Sequence, residues 1–254
     1  HAALPWRRPV VCVAHSCVTS WWRAVHGAQP PAEWDTYKRN VTRGLESADR
    51  VIAPTLAFAW ELRGCYGLKR PVDVIRNGRR PNAPADEERD PMLVGCGRLW
   101  DAAKNLNVFD AAAAGLPWPA YLIGDGRGPD GQTFAPRTLR TLGSLPHAEV
   151  KRWLQRAGIF VHPARYEPFG LAVLEAAAAG CALVLSDIPS LRELWDGAAV
   201  FVDPSAPAAI AAALGRSDAV VLTGGIGPTQ DDLTREAMAL VADRAMTRDE
   251  EHAV

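Results

Sequence analysis

The stretch Gly158–Asp187, GIFVHPARYEPFGLAVLEAAAAGCALVLSD, decides the fold. Ile159 to His162 is a short apolar run that reads as a buried strand, and Pro163 ends it. Gly170 opens Leu171 to Ala179, a run of Leu, Ala, Val and one Glu with strong helical preference. Gly180 stands where a helix C-cap belongs, and Ala182 to Leu185 starts the next strand. Strand, loop, helix and strand in this order make the unit of a parallel sheet. Glu175 is the only polar side chain between Gly170 and Gly180, on a helix otherwise apolar all round and so expected to be buried. An unpaired carboxylate there costs several kcal/mol. Glu167 precedes the helix, so two carboxylates flank a helix N-terminus whose free N–H groups attract anions. Such a site suits a phosphorylated ligand held by its phosphates, with its hydroxyls on the carboxylates.

At 254 residues the chain holds one large domain or two small ones. A net charge of −1 gives no sign of a polyanion-binding surface, so no nucleic-acid partner is expected. The five cysteines (12, 17, 65, 96 and 181) form no C-x-x-C pair, and the odd count argues against a disulfide framework. A reduced, cytoplasmic setting is the expectation. No apolar run approaches the ~20 residues of a membrane span, and no signal peptide is visible; peripheral membrane contact stays open. The chain begins with His, not Met, and is expected to be a piece of a longer protein.

In chain order, Pro9 to Ala14 reads as a buried strand that delivers His15 and Ser16 at its carboxyl end. Trp21, Trp22 and Trp34 follow among turn residues and read as core and loop packing rather than a sugar-stacking platform. Thr36 to Ala48 is a helix, Arg50 to Ala53 a strand, Leu56 to Tyr66 a helix and Pro71 to Arg76 a strand closed by Asn77-Gly78. This is about half of a Rossmann-like domain of ~150 residues. Arg79 to Asp90, rich in Pro and charge, reads as a linker. Beyond it come strand Met92–Cys96, helix Asn105–Ala114, strand Ala120–Ile123, strand Thr141–Leu145 and helix Ala148–Ala157. The opening unit, a strand around Ala199 to Val202 and helix Pro207–Leu214 complete a parallel, doubly wound α/β sheet.

The motif E-P-F-G-L-A-V-L-E, Glu167 to Glu175, resembles the donor-site motif of family-4 (group 1) retaining glycosyltransferases of GT-B fold. Surrounding residues also fit: HPARYEPFGLAVLEAAAAG, SDIPSLREL and GAAVFVDP. The likeness reaches back to the first residues and fades near Leu214. It implies a partial acceptor-side Rossmann-like domain over 1–80 and a nucleotide-sugar-binding domain over 81–216. Glu175 would then bind the donor ribose and Glu167 the donor sugar, with backbone N–H groups of Phe169, Gly170 and Leu171 on the distal phosphate. Arg98 and Lys104, in G-R-L-W-D-A-A-K-N, would neutralise the departing diphosphate. Lys104 sits in a loop one residue longer than the commonest form. His15 alone reads as a structural histidine, but the family has a His at this strand end reaching towards donor sugar and phosphate. Thr55 and Asn77 are weaker candidates that could equally cap or turn. Gly124-Asp125-Gly126 lacks a third glycine and reads as a tight turn beside the nucleotide, while Ser144 and Leu145 fall where a family loop covers the base. No metal-ligand spacing is visible, so neither metal nor cofactor is expected beyond the nucleotide-sugar donor.

The end of the chain breaks the pattern. Ala219 to Leu222 reads as a strand, followed by T-G-G-I-G-P-T-Q-D-D-L-T-R-E-A. This resembles a fragment of the molybdopterin-binding domain of molybdenum-cofactor biosynthesis and competence/damage-inducible proteins, covering 217–254. A junction is expected near Leu214 to Asp218, and Gly224, Gly225 and Gly227 could form an anion nest in an intact copy of that domain. The implied activity is retaining sugar transfer of hexosyltransferase type from a nucleotide-diphosphate sugar to an unknown acceptor. The alternatives are a non-catalytic nucleotide-sugar-binding remnant and a molybdopterin-type protein acting through its tail.

Overall fold

The computed structural model describes residues 2–79 and 89–215. Most of the expected linker, residues 216–218 of the expected junction and the whole 217–254 segment lie outside the described residues. The first part runs β1 (Val11–Val13), α1 (Val18–His26), α2 (Asp35–Ser47), β2 (Arg50–Ala53), α3 (Leu56–Tyr66) and β3 (Asp73–Val74). Its three strands are parallel in the order β1-β2-β3, with Val11 opposite Arg50 and Ile52 opposite Asp73.

The second part runs β4 (Asp90–Cys96), α4 (Leu106–Ala113), β5 (Ala120–Ile123), β6 (Arg140–Thr141), α5 (His147–Arg156) and β7 (Ala157–His162). It continues with α6 (Leu171–Ala178), β8 (Ala182–Ser186), α7 (Pro189–Trp195), β9 (Val200–Val202) and α8 (Pro207–Gly215). All six strands are parallel in the order β6-β5-β4-β7-β8-β9. Counted from β4 this is the Rossmann order 3-2-1-4-5-6. Strand alternation divides the core between the two faces. Leu93, Leu122, Ile159 and Val161 meet Phe109 of α4 and Ile210 of α8. Met92, Val94, Phe160 and Leu183 meet Leu154, Val173 and Leu191 of α5, α6 and α7. Leu214 joins the first of these clusters, so the packing of this domain extends through α8.

Several expectations need correction. The first strand is shorter than Pro9–Ala14 and is not buried: Val11 and Val13 are 54% and 49% exposed, because β1 pairs only with β2 and stands at an edge. Trp21 and Trp22 belong to α1 rather than to turns; the Cys17 sulfur accepts the Ser20 N–H and caps this helix. The strands expected over Pro71–Arg76 and Thr141–Leu145 shrink to two residues each, again at sheet edges where a partner exists on one side only. Helix α7 was not anticipated; Pro189 at its start suits a first helical turn. Leu171 on α6 is exposed, so that helix is not covered all round.

Candidate functional site

In a doubly wound sheet, ligands bind outside the carboxyl ends of the strands where the strand order reverses. Here that point lies between β4 and β7. The loop after β4 is held by three devices. Asp101 accepts the Ala103 N–H at 3.0 Å, capping a short 3-10 helix, Ala102–Lys104. Asn105, the one described non-glycine residue with positive φ (56°), donates to Pro163 O at 2.9 Å and Pro204 O at 2.6 Å. It thereby ties together the loops after β4, β7 and β9. Gly124 (φ 147°) lets the β5 loop approach so closely that a Cβ would stand 1.7 Å from Gly97 O.

The loop after β7 carries Glu167. Its Oε2 accepts Lys104 Nζ at 2.7 Å and faces His162 Nε2 at 3.2 Å, while Oε1 accepts the Gly170 N–H at 2.9 Å. Burial by itself would raise the Glu167 pKa, but the His162 hydrogen bond and the Lys104 charge outweigh it and hold the carboxyl well below its usual range. Burial pushes His162 the other way, so this fully enclosed imidazole is neutral at pH 7 and donates from Nε2. Arg98 is more open, 63% exposed, with Asp101 Oδ2 at 2.6 Å and its guanidinium over the Trp100 ring at 5.5 Å.

His15, Arg98, Lys104 and Glu167 share one cleft of about 610 Å³ between the two sheets. Glu175 lies apart from these four. Its carboxylate, 15% exposed, pairs with Arg79 Nε at 2.7 Å and faces His147 Nε2 at 3.4 Å. Between the two groups runs the start of α6, where Phe169 and Gly170 are buried and Leu171 is exposed. Gly170 is left-handed (φ 87°) and offers no side-chain cap to the first turn of α6, while its own N–H goes to Glu167.

The weaker candidates divide differently. Thr55 caps α3 through Phe58 N–H at 3.1 Å and donates to Pro168 O at 2.9 Å, so it joins the domains. Asn77 is half-buried after β3 and does not line the cleft. Gly124 serves the close approach to Gly97. Ser144 is exposed in the loop before α5, and Leu145 packs against the core cluster of α5 and α6. Sequence reasoning missed Asp101, His162, Tyr166 and the Trp residues. Tyr166 OH accepts Cys17 N–H at 2.8 Å and Ser20 Oγ at 3.0 Å across the domain boundary. Only His162 carried a signal, as a polar residue ending an apolar strand. Trp21, Trp22 and Trp34 prove to line the cleft, the first two from α1 and Trp34 from the short 3-10 helix Ala32–Trp34 that precedes α2. Among the described residues, no group of three or more His, Cys, Asp or Glu could hold a metal ion. No helix among them is long and apolar enough to cross a membrane.

Two Rossmann-like sheets facing a shared cleft define the GT-B fold. Solved structures agree: sucrose-phosphate synthase from Thermosynechococcus elongatus superimposes with a TM-score of 0.67 at 22% identity, over 81% of this chain and 57% of that one. Anabaena Alr3699/HepE in complex with UDP and glucose gives 0.64 at 19%, over 82% and 61%. At these identities the likeness speaks for the fold. The profile described as "Glycosyl transferases group 1" matches residues 90–217, half of the chain, and "Glycosyltransferase Family 4" matches 1–82. The chain belongs to the group 1 glycosyl transferases. "Probable molybdopterin binding domain" matches 202–253. A glycogen synthase of Mycobacterium tuberculosis is 53% identical over 57 residues, 22% of this chain and 14% of that protein. A CinA-like protein of Frankia casuarinae is 57% identical over 42 residues, 16% and 10%. The chain thus matches only a small part of these relatives' length.

Proposed function

We propose that the cleft binds a nucleotide-diphosphate sugar and transfers the sugar to an acceptor hydroxyl with retention of configuration. The observation that carries this is the Lys104–Glu167–Gly170 arrangement: a cation, a carboxylate and a helix N-terminus converge at the strand-order reversal. Lys104 has two further N–H donors for phosphate while it keeps Glu167. Arg98 spends one part of its guanidinium on Asp101 and has the rest for the diphosphate. Glu175 takes the ribose hydroxyls, and the N–H groups of Phe169 and Leu171 take the distal phosphate, joined by the Gly170 N–H once Glu167 exchanges it for the donor sugar. Glu167 orients the donor sugar, and His15 approaches it from the opposite wall. The bond from sugar C1 to the phosphate oxygen breaks and a bond to the acceptor oxygen forms on the same face. The hydroxyl proton passes to the departing phosphate. A relative's solved complex with UDP and glucose supports the ligand class.

Calorimetry with UDP, ADP and their glucose conjugates tests the reading, with EDTA expected to change nothing. Failure of every nucleoside diphosphate to bind would sink it. NMR of the transferred anomer tests retention. Binding should exceed turnover in this chain, because the first sheet has only three described strands and catalysis tolerates misplacement of ~1 Å poorly. A molybdopterin-type role is the second reading, favoured by the match over 202–253. Molybdopterin binding by the whole chain, lost on ending it at Gly215, would support that role.

A further inference from the structure

Beyond His15, the first domain's wall of the cleft has no assigned part in holding the donor. Trp21, Trp22 and Trp34 line it from the first domain. The rings of Trp22 and Trp34 lie 6.3 Å apart at 51°, forming a bent aromatic surface, with His26 4.5 Å behind Trp22. Trp21 is fixed by its Nε1–H to Asp101 Oδ1 at 3.1 Å.

From the second domain, a hairpin-like loop bears on the same cleft. Arg127 and Thr133 form an antiparallel bridge, Gly128 N–H reaches Gln132 O at 2.7 Å and Phe134 N–H reaches Gly126 O at 2.9 Å. A Cβ on Gly128 would stand 2.9 Å from the Trp100 ring, so the loop lies directly on a cleft-lining indole. Asp110 anchors the loop's return by accepting the N–H groups of Arg137, Thr138 and Leu139, each at 2.9 Å. Asp130 and Gln132 both line the cleft. The Gln132 amide accepts Asp130 N–H at 3.1 Å and donates to the Asp130 carboxylate at 3.4 Å.

We propose that the acceptor is a saccharide whose C–H face stacks on Trp22 and Trp34 and whose hydroxyls meet Asp130 and Gln132. This rests on the glycosyl-transfer reading above. A pyranose has an apolar face and a rim of hydroxyls that both donate and accept. Indoles supply a rigid flat surface at little cost in conformational entropy. A carboxylate and an amide supply acceptors and donors for the rim. An alkyl acceptor would suit the indoles but would desolvate the Asp130 carboxylate without compensation.

The test is calorimetry on the whole chain, saturated with whichever nucleoside diphosphate binds and titrated with maltose, cellobiose, mannobiose and lactose. At least one disaccharide should bind, and Trp22→Ala and Asp130→Ala should each weaken it by about tenfold. Nucleoside diphosphate affinity should stay unchanged in both variants, and Trp22→Tyr should recover most of the loss. Binding of n-octanol but of no saccharide overturns the proposal, as does saccharide binding untouched by either substitution. If the nucleotide binds and no saccharide does, the acceptor proposal alone falls. If no nucleoside diphosphate binds, the transfer reading falls with it.

Discussion

The two sheets of this chain bury themselves very differently. In the six-stranded sheet every residue of β7 is buried, and helices cover both faces. In the three-stranded sheet Val11 and Val13 of β1 lie half open to solvent. The smaller sheet makes up part of the difference by leaning on the larger one. Tyr166 and Ala103 of the second domain enter the first domain's core cluster. Glu193 of α7 accepts Leu56 N–H at 2.9 Å and Ala57 N–H at 2.8 Å, placing a carboxylate on the N-terminus of α3. Thr55 and Trp21 add the bonds to Pro168 and Asp101. The larger sheet closes its own core, whereas the smaller one draws part of its core from the interface, and the cleft residues sit on that interface.

The strongest challenge to this comparison is Gly124→Ala. The added Cβ meets a backbone oxygen that has nowhere to go, so a loss of about 3 kcal/mol or more is expected. Urea unfolding should show both domains melting together. A surviving fold of the first domain would break the idea that it leans on the second.

Lys104→Ala comes next. It leaves the Glu167 carboxylate with His162 and Gly170 but no cation, at a cost of about 1.5–3 kcal/mol for the lost charged hydrogen bond. Affinity for a nucleoside diphosphate should drop more than affinity for the nucleoside; equal losses would mean that Lys104 only shapes the fold.

Glu175→Ala should weaken nucleoside diphosphate binding by about 1.5–3 kcal/mol for each charged hydrogen bond to the ribose, read by calorimetry. Unchanged affinity would leave Glu175 as the structural partner of Arg79 and His147.

A pH titration of stability separates the two sheets more finely. His162 and Glu167, both on the larger sheet's side, have pKa values lowered by folding from 6.5 and 4.5. Lowered values mean that the unfolded chain takes up protons first as pH falls. Stability is therefore full above about pH 6.5, declines below it through His162, and declines again below about pH 4.5 through Glu167. Each group contributes a slope of at most about 1.4 kcal/mol per pH unit. In His162→Gln the first decline should vanish from the thermal midpoint.

The smallest effect is expected from Glu193→Ala, about 1 kcal/mol for the uncapped N–H groups. Amide exchange should quicken in α3 while α4 and α8 stay protected. Uniform quickening would mean that the interface supports both domains alike.

The strands and helices around Glu167 and Glu175 were legible because their periodicity and bounding glycines are local. Arg50–Ala53, Leu56–Tyr66 and Ala120–Ile123 were read to the residue for the same reason. Edge strands were overextended, since strand length at an edge depends on a partner elsewhere in the chain. Helix α1 was misread because its cap is a cysteine sulfur, a weaker signal than Ser, Thr, Asp or Asn.

The sequence by itself determined a doubly wound α/β chain, with His15, Arg98, Lys104 and Glu167 among its site candidates. Those residues follow strand ends, and a parallel sheet collects strand ends on one side. Only the tertiary structure decided that these four share a cleft while Glu175 stands aside with Arg79 and His147. The same holds for the indoles of α1 facing the cleft and for His162 and Asp101 beneath its charges. These placements depend on contacts between residues far apart in the chain, such as Trp21 with Asp101 and Cys17 with Tyr166. No local pattern encodes which of two exposed-looking faces another domain will cover.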